Sequence, residues 1–481
     1  MRGASANFPS RRAQSHRADP CRGRYHSSCV WYSNTLITPT EFYRHLFATP
    51  TGGQASSFLS WLLLSYNLST ILFGAHATVS LHITTPTRRI LSASSIVFAG
   101  LLTLTLLAAF ASPVCQARSA QGNSVTWFYG LIIGSIIIAA STSYLQNAVV
   151  ALCSIFGPRA MGLMLTGQGA VGAITAVVQL AAAYKSVVRG EERVAKEEGA
   201  VGAEAAAGAA TTLFTFSVAF ISLAITTFAW LARTPAYKLG CHRYEEAKSK
   251  SHRPDWARHG QQPSGTPTCS SRLDRCLDFS PLSSRSNANR ILQVQRKVLS
   301  LSFSVFCVFA VTLAVYPSLT TRVTSIVATA GSGYHGTWQH PLVFVAWHMV
   351  AFNISDMAGR FLPSISSDRL VLRSRSLLVA ASCARTLFVP LLLACNVRSG
   401  ASDGNDLSAN SALPDWIFFL LILLLGLTNG FMATSIFIAG PESEDLVNEA
   451  EKATAGAILS FWLTLGLAAG SAASFIVRVM V

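Results

Sequence analysis

Charge is scarce in this sequence: 12% of its 481 residues are Asp, Glu, Lys or Arg, against roughly 25% in an ordinary soluble domain. Hydrophobic residues make up 51% and the mean hydropathy is +0.42, so water is not the chain's main solvent. Acid is rarer than base, with 22 Asp and Glu against 37 Lys and Arg and a formal net charge of +15. Nucleic acid would be one reason for that excess, but the basic residues gather in short segments between apolar runs rather than in one stripe interleaved with aromatics. Membrane topology accounts for them better. The ten cysteines include no CxxC pair. Cys153, Cys307, Cys383 and Cys395 sit inside apolar runs, where a small soft hydrophobe packs well, so neither zinc nor a disulfide framework is implied. Residues 1–30 are a polar, basic tail without the apolar core of about 7–15 residues that a cleavable signal peptide needs. There is no P-loop, no HExxH helix and no GxSxG elbow, so an enzyme is not expected, nor any metal or cofactor.

What the sequence does have is apolar runs of membrane length. A spanning helix needs about 20 mostly apolar residues, and such runs fall at 56–82, 87–112, 125–150, 158–184, 208–232, 297–322, 341–362, 376–396, 414–440 and 453–479. Trp31 to Leu46 has membrane-like ends but too little apolar length, and reads as the second half of a first helix. The expectation is an all-α polytopic membrane protein of about eleven helices with the first truncated, six before a polar segment and five after it. Residues 31–232 and 297–481 form the two bundles. Residues 233–296, rich in Ser, Pro, Gly, Arg and Lys, read as a disordered cytoplasmic loop. Arg88 and Arg89, Arg159, and the trio Arg369, Arg373 and Arg375 fall at alternate connections on the same side, which places the N-terminus in the cytoplasm. The Ala/Gly run at 199–210 reads as a loop leading into a helix start.

Polar residues inside these runs are the candidates for function, because ionisable groups at membrane depth face a bundle interior or a water-filled cavity. Asn353, Asp356 and Arg360 lie within about 60° of one another on a helix. An acid and a base at i and i+4 can pair. They either lock this helix to a neighbour or form a site for a polar substrate, with the carboxylate accepting from hydroxyls and Asn353 offering an amide. Gln146 offers an amide for a base edge or for a bond to another helix. Tyr66 and Asn67 interrupt the second apolar run and fit the lining of a path. Gly167, Gln168 and Gly169, with Gly130 to Gly134 and Gly466 to Gly470, read as close helix packing. Arg385 needs a partner or a crevice and reads as a structural or gating residue. His348 invites proton coupling, although a histidine among aromatics is more often packed neutral.

These segments together resemble the equilibrative nucleoside transporter family. Phe352-Asn353 to Asp356 to Gly359-Arg360 is similar to the family's FNxxDxxGR signature, supported by Leu145-Gln146, Gly167-Gln168-Gly169, Ala384-Arg385 through Phe388-Val389-Pro390, Thr428-Asn429-Gly430 and Gly440-Pro441-Glu442. The sequence departs from the pattern at the start, where Ser33 stands at the position of the family's Trp and the apolar half of the first helix is missing. The resemblance implies a major-facilitator-like bundle with substrate between its halves, Asp356 and Arg360 as the central polar pair, and Gln146 as a base or ribose contact. It implies facilitative transport of nucleosides or nucleobases across a plasma, vacuolar or lysosomal membrane, with the lipid bilayer as the other partner. A proton-coupled porter and a non-transporting scaffold are the competing readings.

Overall fold

The computed structural model describes residues 53–118, 124–193, 200–251, 281–323, 325, 340–365, 370–395 and 413–479. The expected half-helix at Trp31 to Leu46 lies outside them. The described chain is helical throughout: α1 (Gly53–Val79), α2 (Pro86–Arg118), α3 (Ser124–Phe156), α4 (Pro158–Arg193), α5 (Ala200–Arg233), α6 (Pro235–Ser251), α7 (Pro281–Val315), α8 (Pro341–Ile365), α9 (Arg375–Ala384), α10 (Phe388–Leu393), α11 (Asp415–Ala439) and α12 (Glu449–Val479). All the spans expected from the sequence fall on these helices. Among the described residues, eight stretches are long and apolar enough to cross a membrane: one each on α2, α3, α4, α5, α7, α11 and α12, and one running through α9 and α10 together. α1 and α8 are not among the eight. The chain is a multi-pass membrane protein.

Local sequence sets the helix ends. Proline opens α2, α4, α6, α7 and α8, where its missing N–H costs no helical bond and its fixed φ suits the first turn. Between α3 and α4, Gly157 adopts φ +91°, a left-handed conformation that glycine takes without a Cβ penalty. Pro390 cannot donate to the carbonyl four residues back. The chain tightens into a 3-10 turn at Arg385–Leu387, between α9 and α10, and Arg385 sits in that break.

Two sequence expectations change. The described part of the Ala/Gly run, from Ala200 to Ala210, forms the opening turns of α5, because alanine is the best helix former and outweighs its glycines. The polar segment 233–296 is not all loop: it holds α6 and the first turns of α7. α6 is ordered by Tyr237 and Tyr244, whose buried rings give a polar helix an apolar anchor.

α1 to α5 pack on one another through α1 against α3, α2 against α3 and α5, and α3 against α4. A second set forms where α7 meets α9, α11 and α12, and α8 meets α11. The two sets touch where α4 packs on α8, and α12 on α1 and α3. α8 is thus held between α4 and α11, and glycine makes both contacts possible. A Cβ at Gly172 of α4 would lie 2.6 Å from Asn353 Oδ1, and one at Gly169 3.0 Å from the Met357 Cα. On the other side a methyl at Gly359 would overlap the Leu427 carbonyl, and one at Gly430 the Asp356 carbonyl. Gly466 and Gly470 likewise bring α12 onto α7, where a Cβ would stand 2.6 Å and 2.5 Å from the carbonyls of Phe306 and Ala310. The pair Gly130 and Gly134 behaves differently from the packing read from its spacing. A Cβ at either would meet nothing within 4 Å among the described residues, since this face of α3 points outward from the set.

Candidate substrate site

Between the two sets lies a cavity of about 590 Å³. Tyr66 and Asn67 line it from α1, Gln146 from α3, and Asn353, Asp356 and Arg360 from α8. All six side chains singled out as substrate ligands therefore face one space, contributed by both sets of helices. Phe309, Phe352 and Phe461 supply apolar wall.

The ion pair is built by the helix itself. Arg360 Nε donates to Asp356 Oδ2 at 2.8 Å, with the two side chains 7% and 8% exposed. Charges so poorly solvated persist only when their other bonding positions are filled. Here α4 and α11 fill them. Arg360 Nη1 donates to Gln168 Oε1 at 3.0 Å, and Asn429 Nδ2 donates to Asp356 Oδ1 at 2.7 Å. The Thr312 hydroxyl of α7 stands 2.8 Å from Asn429 Oδ1 and accepts from Arg385 Nη2 at 2.9 Å. A continuous polar chain therefore runs from Gln168 through Arg360, Asp356, Asn429 and Thr312 to Arg385, across both sets of helices.

The other sequence candidates take distinct positions. Gln168 and Gly169 line the cavity, so Gln168 is part of the polar chain as well as of the packing. Gly167 is half-buried beside it and lies outside the lining. Arg385 is 3% exposed and lies behind the wall, held by Thr312, Thr428 and the Leu425 carbonyl. Asn353 Nδ2 bonds the Met349 carbonyl at 2.8 Å and the Tyr316 hydroxyl at 3.3 Å, and the Tyr316 ring stacks on Phe352 at 3.9 Å. Gln146 faces the cavity with no hydrogen bond among the described residues, so its amide is available. His348 is fully buried between the rings of Tyr316 and Phe418, away from the lining.

Sequence reading missed Thr312 altogether and saw Asn429 only as part of a motif. The available signal for Asn429 was its place inside Gly426-x-x-x-Gly430, a close-packing spacing in an otherwise apolar helix. Thr312 gave none, since a lone threonine in a span normally bonds its own backbone, as this one also does to Val308 at 2.7 Å.

The sequence pattern of the family described as "Nucleoside transporter" matches residues 132–479. The chain belongs to the nucleoside transporter family. It is 27% identical over 370 residues to Equilibrative nucleoside transporter 1 of Homo sapiens, covering 75% of this chain and 71% of that protein. Equilibrative nucleotide transporter 2 of Arabidopsis thaliana is 23% identical over 458 residues, covering 93% and 92%. A solved structure of a double tryptophan mutant of the transporter XylE superposes with a TM-score of 0.52 at 10% identity, covering 93% of this chain and 86% of that one. The fold is therefore of the major-facilitator type, and the chain is a transporter rather than an enzyme.

Proposed function

We propose that this chain carries nucleosides, with nucleobases as a second class, down their gradients by alternating access, holding them in the cavity between its two sets of helices. One observation carries the reading: polar side chains from both sets converge on a cavity of about 590 Å³ with a buried ion pair in its wall. That volume falls in the range of about 300–1,000 Å³ typical of small-molecule sites. Asp356 accepts one bond from Arg360 and one from Asn429. A carboxylate has about four lone-pair sites, so it keeps acceptors for ribose hydroxyls. Arg360 uses two donors on Asp356 and Gln168 and has others for a sugar or base oxygen. Gln146 offers both a donor and an acceptor to a base edge, and the phenylalanines supply the apolar face a base stacks on.

The equilibrative reading is favoured over proton coupling by placement. Asp356 has both carboxyl oxygens engaged, by Arg360 and Asn429, and His348 is packed among rings off the path. Residues 31–232 and 297–481 would be the two moving bundles. The α6 end would face the cytoplasm, since the basic connections gather there; plasma and vacuolar or lysosomal membranes both fit. The test is flux through Asp356→Asn and Arg360→Ala. Each should abolish saturable adenosine uptake while the protein still reaches its membrane, and unchanged initial rates in either would remove the pair from the site.

A further inference from the structure

α6 lies outside the membrane-spanning helices, yet it packs on α3, α5 and α12. Tyr237 and Tyr244 share one face of it, because seven residues advance a helix by almost two whole turns. Tyr237 fastens α6 to the first set of helices. Its hydroxyl stands 2.8 Å from Thr87 Oγ1, and its ring stacks on Phe156 at 6.1 Å. Gly240, between the two tyrosines, approaches so closely that a Cβ there would lie 2.5 Å from the Phe156 ring.

Tyr244 reaches the other way. It is 3% exposed and packs in one apolar cluster with Leu81 and Ala151 from the first set and Ala453 and Ala457 of α12. Burial there pushes its phenol up to about 12. The seam it covers is the one that shuts the cavity. Asn147 Nδ2 donates to Thr78 Oγ1 at 2.9 Å and across the seam to the Ala457 carbonyl at 3.3 Å, and Gly456 lies against Ser154. The seam begins at the α6 edge of the lining, where Asn147 belongs to both, and continues toward α6. α1 lines the cavity at Tyr66 to Gly74 and meets α12 at Thr78, while α12 lines it from Ser460 onward and meets α3 at Gly456. At the other end Pro317, exposed just past the end of α7, lines the cavity, so among the described residues its mouth is there.

We propose that α6 is a latch in the transport cycle and Tyr244 its gating residue: anchored by Tyr237, the helix holds α12 against α1 and α3 until Tyr244 leaves Ala453 and Ala457. The inference rests on the alternating-access reading, in which the α6 end must open in turn. Beside Leu81 and Ile155 the facing groups in the seam are small: alanine, glycine, serine and threonine, with one amide. The Tyr244 ring is the largest apolar group there, and losing its burial shifts a two-state equilibrium by about tenfold.

The test is the labelling rate of a Ser154→Cys thiol by a membrane-impermeant reagent applied from the α6 side of the full-length protein in proteoliposomes, corrected for the same protein without that cysteine. No nucleoside is present, so the result is independent of whether nucleosides are the substrate. Tyr244→Ala should raise the rate about tenfold, Tyr237→Ala should raise it by freeing the helix, and Tyr244→Phe should leave it near the starting value. Unchanged labelling in Tyr244→Ala, or an equal rise in Tyr244→Phe, overturns the latch. A Tyr244→Cys, Ala453→Cys pair tests it from the closed side, a covalent link standing in for the lost ring packing: cross-linking should arrest exchange and reduction should restore it. Undiminished exchange in the cross-linked protein also overturns it.

Discussion

Replacing Asn429 by alanine removes the donor that stands 2.7 Å from Asp356 Oδ1 without touching either member of the ion pair. A hydrogen bond to a charged group contributes about 1.5–3 kcal/mol. The lost bond lies against a cavity rather than in sealed packing, so about 2 kcal/mol is the expected loss, roughly 30-fold in transport efficiency. The Thr312 hydroxyl also loses its neighbour but keeps the Val308 carbonyl at 2.7 Å, so its share is small. Initial rates of radiolabelled adenosine uptake, normalised to protein in the membrane, measure the effect. Asn429→Asp supplies the internal control. It keeps the side chain's size but replaces the donor with a second acceptor beside Asp356. Its flux should fall at least as far as that of Asn429→Ala, because the new group cannot donate to Asp356 Oδ1. An Asn429→Ala rate within about twofold of the unmodified protein, where about 30-fold is expected, would refute the claim that α11 holds the Asp356 carboxylate.

Other outcomes follow from the same geometry. Gln146→Ala should reorder purine and pyrimidine nucleosides in competition assays more than it lowers expression; an equal loss for every substrate would mark Gln146 as packing. Gly430→Ala must drive α11 off the Asp356 carbonyl, so it should reduce thermal stability and flux together, whereas Gly130→Ala, which meets nothing within 4 Å among the described residues, should leave the melting temperature unchanged. His348→Phe should keep the pH profile of uptake, because the ring it replaces is packed among aromatics off the path; a lost acid limb would restore histidine to the mechanism.

The spans were legible because a bilayer imposes length and apolarity on each one, α8 included despite its polar residues. The ion pair was legible for the opposite reason: Asp356 and Arg360 stand out in a run where charge is expensive, at a spacing that lets them meet. Their supporting shell was less visible. Gln168 and Asn429 belong to helices far apart in sequence, and nothing local says that glycines at 169, 172, 426 and 430 press both helices onto α8. Residues 235–251 were read as loop because their composition is polar, and it takes the tertiary anchor of Tyr237 and Tyr244 to hold them as a helix. For Gly130 and Gly134 no described residue makes the close contact their spacing suggests, since GxxxG states that a helix can be approached and not that one approaches it.

The most direct measurement of the central claim is uptake of radiolabelled adenosine and uridine into proteoliposomes holding the full chain, with and without an imposed pH gradient. Saturable uptake that stops when the inner and outer concentrations are equal, under either condition, is the expected result. Accumulation above the outer concentration when the pH gradient is imposed would contradict it.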